Sequence, residues 1–238
     1  MSEFESSEKT TALVQLAGTV AHELNNIFTA VAGNLSLLGD GADEVQTTET
    51  IRDVIRAAQR GIDLTARLQA FAGRQPLRRG RNDANELVLE AVAPMLDSEL
   101  ATIDVQFEIA DYECPVYVDR DKFCDTIAEL ARNASAAMPK GGTLTLQTCI
   151  WPPASEDKRN APRAQVVVRV TDTGAGMSEE VAARALDPMF STRKHGVDAG
   201  WGLSNCAGFV RQCGGRLLLT SRPKRGTRVE IRLPLERD

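Results

Sequence analysis

The stretch Val170–Met177 carries a combination of residues that suits a phosphate-bearing ligand. Asp172 ends a run of β-branched residues, and Gly174 and Gly176 follow it at alternate positions. Glycines permit positive φ and close approach to the backbone, and exposed amides in such a turn can bind phosphate. A carboxylate ahead of them suits the recognition of an exocyclic amine. The stretch therefore predicts a nucleotide site, and an ordinary turn after a strand is the alternative.

Glu129 and Asn133 are four residues apart in a predicted helix, so their side chains share one face. A carboxylate and a carboxamide in one pocket can hold a hydrated Mg²⁺, which prefers oxygen ligands and keeps several waters. The pair therefore predicts a magnesium site. A solvated polar helix face is the alternative.

The segment 187–194 combines an apolar residue with hydroxyl-bearing and positively charged residues. Phe190 supplies an apolar anchor, two hydroxyl residues follow it, and Arg193 and Lys194 supply positive charge. The combination suits the neutralisation of phosphate by a loop. An ordinary surface loop has the same composition.

Two glycine motifs lie further along the chain. Gly200 and Gly202 open a predicted helix, where backbone amides and the helix dipole favour an anion. Gly226 and Thr227 directly precede the last predicted strand, and a plain hairpin turn is their alternative.

His22 lies in an N-terminal helical pattern, away from the apolar stripe of that helix. At about 100° per residue, it is roughly half a turn from the centre of the stripe, so its imidazole is expected to face solvent. Asn26 shares its face, and Glu23 is its sequence neighbour. A solvated surface histidine is the alternative.

A helical hairpin must position His22. After a short polar leader, apolar residues recur in steps of three and four up to Leu38, and again from Ile51 to a helix end near Phe71. Gly39 and Gly41 break the pattern between the two helices. A hairpin buries only part of its apolar stripe, so we expect a homodimer in which two hairpins form a four-helix bundle.

The remaining chain mixes helices and strands. The basic run Arg74–Arg81 is predicted to be a linker. Beyond it, strands are predicted over 103–109, 116–118, 143–150, 166–170, 217–220 and 228–233, and helices over 85–92, 119–138 and 203–212. The predicted fold class is α+β, with a helical hairpin domain over 1–75 and an α/β sandwich domain over 82–238.

Composition narrows the function. A formal net charge of −5 gives no basic footprint for nucleic acid. No stretch reaches the roughly 18 apolar residues of a membrane span, and the polar N-terminus is unlike a signal peptide. Five scattered cysteines are typical of reduced thiols, and two histidines make a protein-held transition metal improbable. The sequence thus predicts a cytoplasmic protein with neither a nucleic-acid nor a membrane partner.

Taken in order, these motifs resemble those of the bacterial sensor histidine kinases of two-component signalling. The resemblance rests on His22-Glu-Leu-Asn-Asn26, Asn133-Ala, Asp172-x-Gly-x-Gly176, Phe190, Gly200-x-Gly202 and Gly226-Thr227. The His-Glu-x-x-Asn box is most similar to the HisKA-type kinases related to the nitrogen-regulatory ones. The resemblance covers the chain from about residue 10 and implies a phosphoacceptor hairpin followed by a Bergerat-type (GHKL) ATP-binding domain.

The resemblance also implies a reaction. His22 would take the γ-phosphoryl group of Mg-ATP and pass it to an aspartate on the receiver domain of a response regulator. Glu23 would orient the imidazole and accept its proton. Asn26 would position a water when the same face dephosphorylates the regulator.

For the ATP site, the resemblance implies that Asn133 binds Mg²⁺ and that Asp172 hydrogen-bonds adenine. Gly174 and Gly176 would shape the adenine end, and Thr227 would belong to the same site.

The resemblance further implies a mobile lid. Phe190 would seat the lid, and Gly200 and Gly202 would let it close on the phosphates. Arg193 or Lys194 would neutralise phosphate charge there.

Three departures from the family pattern leave alternatives open. Asp198 replaces the first lid glycine, where its charge would weaken ATP binding or slow lid closure, and Trp201 replaces a usual leucine. Asp198 and the missing sensor domain favour a phosphotransfer scaffold with a relic nucleotide site. Glu129 stands where the family often has Asn, as in hydrolytic ATPases whose Glu activates water, so a Bergerat-fold ATPase is a further alternative. No sensor domain is recognised, so input would come from a separate protein or the chain is a fragment.

Overall fold

The computed structural model describes residues 3–38, 44–152, 163–192 and 200–236. The chain divides into two compact units, Met1–Gln69 and Ala70–Asp238. The domain limits expected from the sequence, 1–75 and 82–238, stay a prediction.

The first unit is built from two long helices. They are Glu3–Ser36 (α1) and Glu44–Phe71 (α2). The expectation of a non-helical polar leader is wrong from Glu3 onward, because α1 already begins at that residue. The backbone tightens after Ser36, where the Leu37 amide donates to the Asn34 carbonyl at 3.1 Å. The predicted break at Gly39–Gly41 lies outside the described residues.

One face of α2 is buried within the hairpin. Thr50, Ala57 and Leu64 are 7%, 0% and 4% exposed, and they follow one another at seven-residue intervals. This spacing is that of a coiled-coil seam. The helices come close at Gly61, where an added Cβ would lie 3.5 Å from Cγ2 of Ile27.

A second apolar stripe on the same two helices is uncovered. Its large apolar side chains, including Leu37 just after the end of α1, are 46% to 70% exposed: Phe28, Leu35, Leu37, Val45, Ile51, Ile55 and Ile62. The hairpin therefore buries one seam and leaves another, as the sequence predicted for an amphipathic pair.

The second unit contains two β-sheets. Its described strands are Arg79–Asp83 (β1), Ile103–Glu108 (β2), Pro115–Asp119 (β3), Gly142–Trp151 (β4), Gln165–Asp172 (β5), Arg216–Ser221 (β6) and Thr227–Pro234 (β7). β1 and β3 form an antiparallel pair. The larger sheet has the order β2-β4-β5-β7-β6, in which only the β2–β4 pair is parallel.

Four α-helices accompany these strands in the described part of the second unit. They are Ala84–Val92 (α3), Arg120–Ala137 (α4), Glu179–Arg184 (α5) and Gly202–Gln212 (α6), and a 3-10 helix spans Ala93–Met95. Alternate residues of the central strands, such as Leu144 and Leu146 of β4, are buried in one core with apolar residues of α3, α4 and α6. Asp119 caps α4 by accepting from the Lys122 amide at 3.1 Å.

Two elements differ from the sequence prediction. Arg79–Arg81, expected in a linker, belong to β1, because they pair with Tyr117–Asp119 of β3. α5 was not predicted, since its six residues are too few to show a helical period. Most of the predicted loop after Trp151 lies outside the described residues, while β4 and β5 on either side of it pair antiparallel as a hairpin requires.

The second unit begins at Ala70, so it includes the last two residues of α2, and residues 70–75 pack against α6. A Cβ on Gly208 would overlap the Ala70 carbonyl oxygen. The Arg211 guanidinium donates to the Phe71 carbonyl at 3.2 Å, and Gln212 Nε2 donates to the Gln75 carbonyl at 2.7 Å. This contact positions α6, the helix that follows the predicted lid.

Replacing Gly208 by alanine is expected to lower the melting temperature of the second unit. Overpacking against a backbone carbonyl costs about 1–3 kcal/mol, because the obstructing atom cannot rotate away. Thermal unfolding measures the loss, and hydrogen exchange of the 70–75 amides locates it. Gly33→Ala is the matched control, because its added Cβ would lie within 4 Å of no described atom beyond its own helix backbone and chain neighbours. Equal melting temperatures for the two variants would contradict the close contact.

Candidate active site

Asp172 ends β5 and is 7% exposed. Its Oδ1 accepts two backbone hydrogen bonds, from the Gly174 amide at 2.8 Å and from the Thr227 amide at 3.2 Å. Within the part of the chain that the structure describes, no group donates to Oδ2. Backbone hydrogen bonds thus hold the carboxylate through Oδ1, and Oδ2 can accept a hydrogen bond from a ligand.

Two glycines let the backbone close around this carboxylate. Gly226 has φ +78°, and an added Cβ would overlap the Asp172 carbonyl oxygen. Gly176 has φ +65°, and its Cβ would overlap the Arg222 carbonyl oxygen. The loop after β5 and the turn before β7 therefore fit together only with glycine at both positions.

Ser221 ties the same two segments together through its hydroxyl. Its Oγ accepts from the Met177 amide at 2.9 Å, donates to the Gly226 carbonyl at 3.0 Å and contacts Thr227 Oγ1 at 2.9 Å. Sequence reasoning missed Ser221. The signal that could have found it is its position at the end of β6, opposite Thr227 in the β6–β7 register.

The environment of Asp172 raises the pKa of its carboxyl. Burial is the largest cause, and the hydrogen bonds from Gly174 and Thr227 oppose it by stabilising the anion. A ligand that donates a hydrogen bond to Oδ2 would stabilise the buried charge further.

Glu129 and Asn133 meet on α4, as their spacing predicted. Asn133 Nδ2 donates to Glu129 Oε1 at 3.1 Å. Arg132 donates to the other oxygen, Oε2, from Nε at 3.3 Å and from Nη2 at 3.2 Å. Gly202 opens α6 directly against this carboxylate, because a Cβ there would overlap Glu129 Oε1.

Asn133 and Glu129 suit a magnesium ion whose remaining ligands are phosphate oxygens and water. Asn133 turns its amide nitrogen to Glu129, which leaves its Oδ1 as an acceptor of the kind Mg²⁺ prefers. Among the described residues, no cluster of three or more His, Cys, Asp or Glu side chains could hold a metal alone. A metal bound at Asn133 would therefore complete its shell with phosphate oxygens and water.

Helix α4 links the two groups of residues. Its last residue, Ala137, accepts from the Ala175 amide at 3.1 Å in the loop that follows Asp172. Asn133 and Glu129 lie four and eight residues earlier on the same helix. At about 1.5 Å per residue, they are roughly 6 and 12 Å along the axis from that loop.

The two ends of the predicted lid come together in the structure. A Cβ on Gly200 would lie 2.5 Å from the carbonyl carbon of Met189, which itself has φ +62°. The Phe190 ring lies beneath the Arg184 guanidinium, whose carbon is 4.3 Å from the ring centroid. Trp201 is 4% exposed. Arg193, Lys194 and Asp198 lie outside the described residues.

His22 is exposed on α1, which confirms the orientation predicted for it. Asn26 is also exposed, one turn further along the helix, and Glu23 is half-buried. These three side chains belong to the first unit, whereas the Asp172 and Glu129 groups belong to the second.

Two family models match the chain. Residues 118–237 match the histidine kinase-, DNA gyrase B-, and HSP90-like ATPase model, and residues 12–75 match the His Kinase A (phospho-acceptor) domain. The sensor kinase CckA of Brucella abortus is 34% identical over 236 residues, which cover 96% of this chain and 25% of that protein. The chain thus spans about a quarter of the length of this curated relative.

Solved structures show the same fold. The Acinetobacter baumannii histidine kinase AdeS gives a TM-score of 0.56 at 18% identity and covers 91% of this chain and 98% of its own. Histidine kinase ThkA in complex with the response regulator protein TrrA gives 0.58 at 20% identity, covering 98% and 65%.

The sheet, its helices and the Asp172 loop define an ATPase domain that follows a helical hairpin. With both family models matched in this order, the chain belongs to the two-component sensor histidine kinases. None of the described helices is long and apolar enough to cross a membrane.

Replacing Asp172 by asparagine is expected to leave the ligand-free fold at least as stable at neutral pH. The asparagine Oδ1 can keep both backbone hydrogen bonds, while the buried charge disappears. Because the folded pKa of Asp172 is raised, the wild type loses stability as pH rises from the ordinary value of 3.8 through the raised pKa. The advantage of the variant should grow over that window and then stay constant.

Thermal unfolding of the ligand-free protein over a pH series measures this advantage. Asp172→Ala is the matched comparison, since it leaves the buried Gly174 amide and the half-buried Thr227 amide without their acceptor and should cost about 1–3 kcal/mol. If Asp172→Asn lost as much stability as Asp172→Ala at neutral pH, the described hydrogen bonds could not be correct.

Proposed function

We propose that this chain is an ATP-dependent protein-histidine kinase that phosphorylates His22 and passes the phosphoryl group to an aspartate of a response regulator. The observation that carries the proposal is the Asp172 carboxylate, with Oδ1 bound to two amides and Oδ2 without a donor among the described residues. Such an acceptor suits the exocyclic amine of adenine. The matched ATPase family supports this assignment.

In this proposal, the phosphates extend from the Asp172 loop along α4 toward Asn133 and the start of α6. Asn133 Oδ1 would hold Mg²⁺, and the Glu129 carboxylate would fix the orientation of that amide. Bound there, the ion would neutralise phosphate charge and orient the γ-phosphate. The N-terminal amides of α6 would add favourable dipoles for an anion.

The exposed side chain of His22 supplies the acceptor. A ring nitrogen attacks the γ-phosphorus, the bond from phosphorus to the β–γ bridging oxygen breaks, and ADP leaves. Glu23, the neighbouring carboxylate, takes the imidazole proton. A receiver-domain aspartate then displaces the histidine and takes the same phosphoryl group. The ThkA structure, which holds a response regulator protein, supports this partner class.

Asn26 gives the same helix face a second capacity. Its carboxamide is exposed one turn from His22 and can both donate to and accept from a water. We propose that it orients the water that hydrolyses the regulator's phosphoaspartate, which makes the protein a phosphatase as well.

The uncovered apolar stripe of the hairpin supports a homodimer. A stripe with Ile55 and Ile62 each 61% exposed is a large apolar surface for a monomer. Two copies packed through this stripe would form a four-helix bundle.

His22→Ala is expected to abolish phosphorylation by γ-labelled ATP, because the variant lacks the nucleophile. In the wild type, the label should be acid-labile and alkali-stable, as a phosphoramidate is. The variant should bind ATP as the wild type does, since its second unit is intact. Label that persists in the variant, or acid-stable label in the wild type, would refute the assignment of His22.

Ile55→Glu is expected to convert the dimer to monomer, because it places a charge in the apolar seam between copies. Sedimentation measures the molecular mass. Arg60→Gln is the control, since it lowers the charge by the same one unit at another exposed position of α2. A variant with unchanged mass, or a wild type that is already monomeric, would contradict the four-helix bundle.

A further inference from the structure

Arg132 lies beside Glu129 and Asn133 on α4, and the family resemblance implies no role for it. Both its Nε and its Nη2 donate to Glu129 Oε2. The side chains of Arg132 and Glu129 are 47% and 32% exposed. An ion pair this open adds little to folding stability, so its significance lies in what it does to the carboxylate.

The two oxygens of Glu129 have different surroundings. Oε1 accepts from Asn133 Nδ2 at 3.1 Å and packs against the backbone of Gly202, where an added Cβ would overlap it. Oε2 is therefore the oxygen that could face a water molecule. Arg132 occupies it with two N–H groups.

This arrangement bears on where the phosphoryl group of ATP goes. In hydrolysis, a water oxygen attacks the γ-phosphorus, the bond to the β–γ bridging oxygen breaks, and ADP and phosphate are released with the water proton passed to a base. A general base needs a lone pair that can reach that proton. Glu129 is a carboxylate in contact with Asn133, as a general base beside the proposed magnesium ligand would be. Its Oε2, however, already accepts two hydrogen bonds from Arg132.

We propose that Arg132 is a positioning residue that withholds Glu129 from water, so that the phosphoryl group is reserved for His22. The inference rests on the proposed kinase function. Glu129, which departs from the family pattern, thus belongs to a pair in which Arg132 suppresses hydrolysis.

The test measures phosphate release from saturating Mg-ATP in a His22→Ala background, where phosphohistidine cannot contribute. Adding Arg132→Gln should raise the rate about tenfold or more, since a freed general base contributes about 10²–10⁴. Adding Glu129→Gln to that protein should remove the gain. Arg132→Lys keeps the charge but loses the two-pronged contact, so it should give a smaller rise.

Lys122→Gln is the matched control. Lys122 forms an ion pair with Asp125 at the same three-residue spacing on α4, with Nζ 3.2 Å from Oδ2. Loss of this pair should leave phosphate release unchanged, so a similar rise in the control would overturn the proposal.

Two other results would also overturn it. One is an unchanged rate in Arg132→Gln protein that still binds ATP, and the other is a raised rate that survives Glu129→Gln. Measuring ATP binding to the His22→Ala protein by titration distinguishes these two results from a failure of the proposed function. If that protein does not bind ATP, the kinase assignment falls and this inference falls with it.

Discussion

The burial of the Asp172 carboxylate at the end of β5 constrains much of the second unit around it. A buried anion is costly unless hydrogen bonds compensate it. Here the compensation comes from the Gly174 and Thr227 amides, on two different loops, which must both approach one oxygen. That requirement explains the left-handed glycines at 176 and 226 and the Ser221 bridge. The same constraint leaves the second oxygen as a specific acceptor.

Helix α4 connects the Asp172 loop to the residues proposed to lie near the phosphates. Its C-terminal residue contacts the Asp172 loop, and its middle turns present Glu129, Arg132 and Asn133. The start of α6 closes against Glu129, and the far half of α6 packs on residues 70–75. A displacement of α6 would therefore change both its contact with Glu129 and its contact with residues 70–75.

Much of this fold follows from local pattern, and the exceptions have physical causes. The α2 and α4 helices and the exposed His22 were predictable because periodicity reports which face is buried. β1 was not, since an arginine-rich segment becomes a strand only by pairing with β3, which lies more than thirty residues further along. The Glu129–Arg132 spacing is visible in the sequence, but the close approach of Gly202 to Oε1 depends on tertiary packing.

The central claim is that Asp172 Oδ2 accepts the adenine amine. The most direct measurement is a four-way binding cycle, which compares wild type and Asp172→Asn, each with ATP and with the purine triphosphate that lacks the amine. The wild type should bind ATP about 10- to 150-fold more tightly than the analogue, the equivalent of about 1.5–3 kcal/mol. The variant should not distinguish them. Equal discrimination by both proteins would contradict the claim.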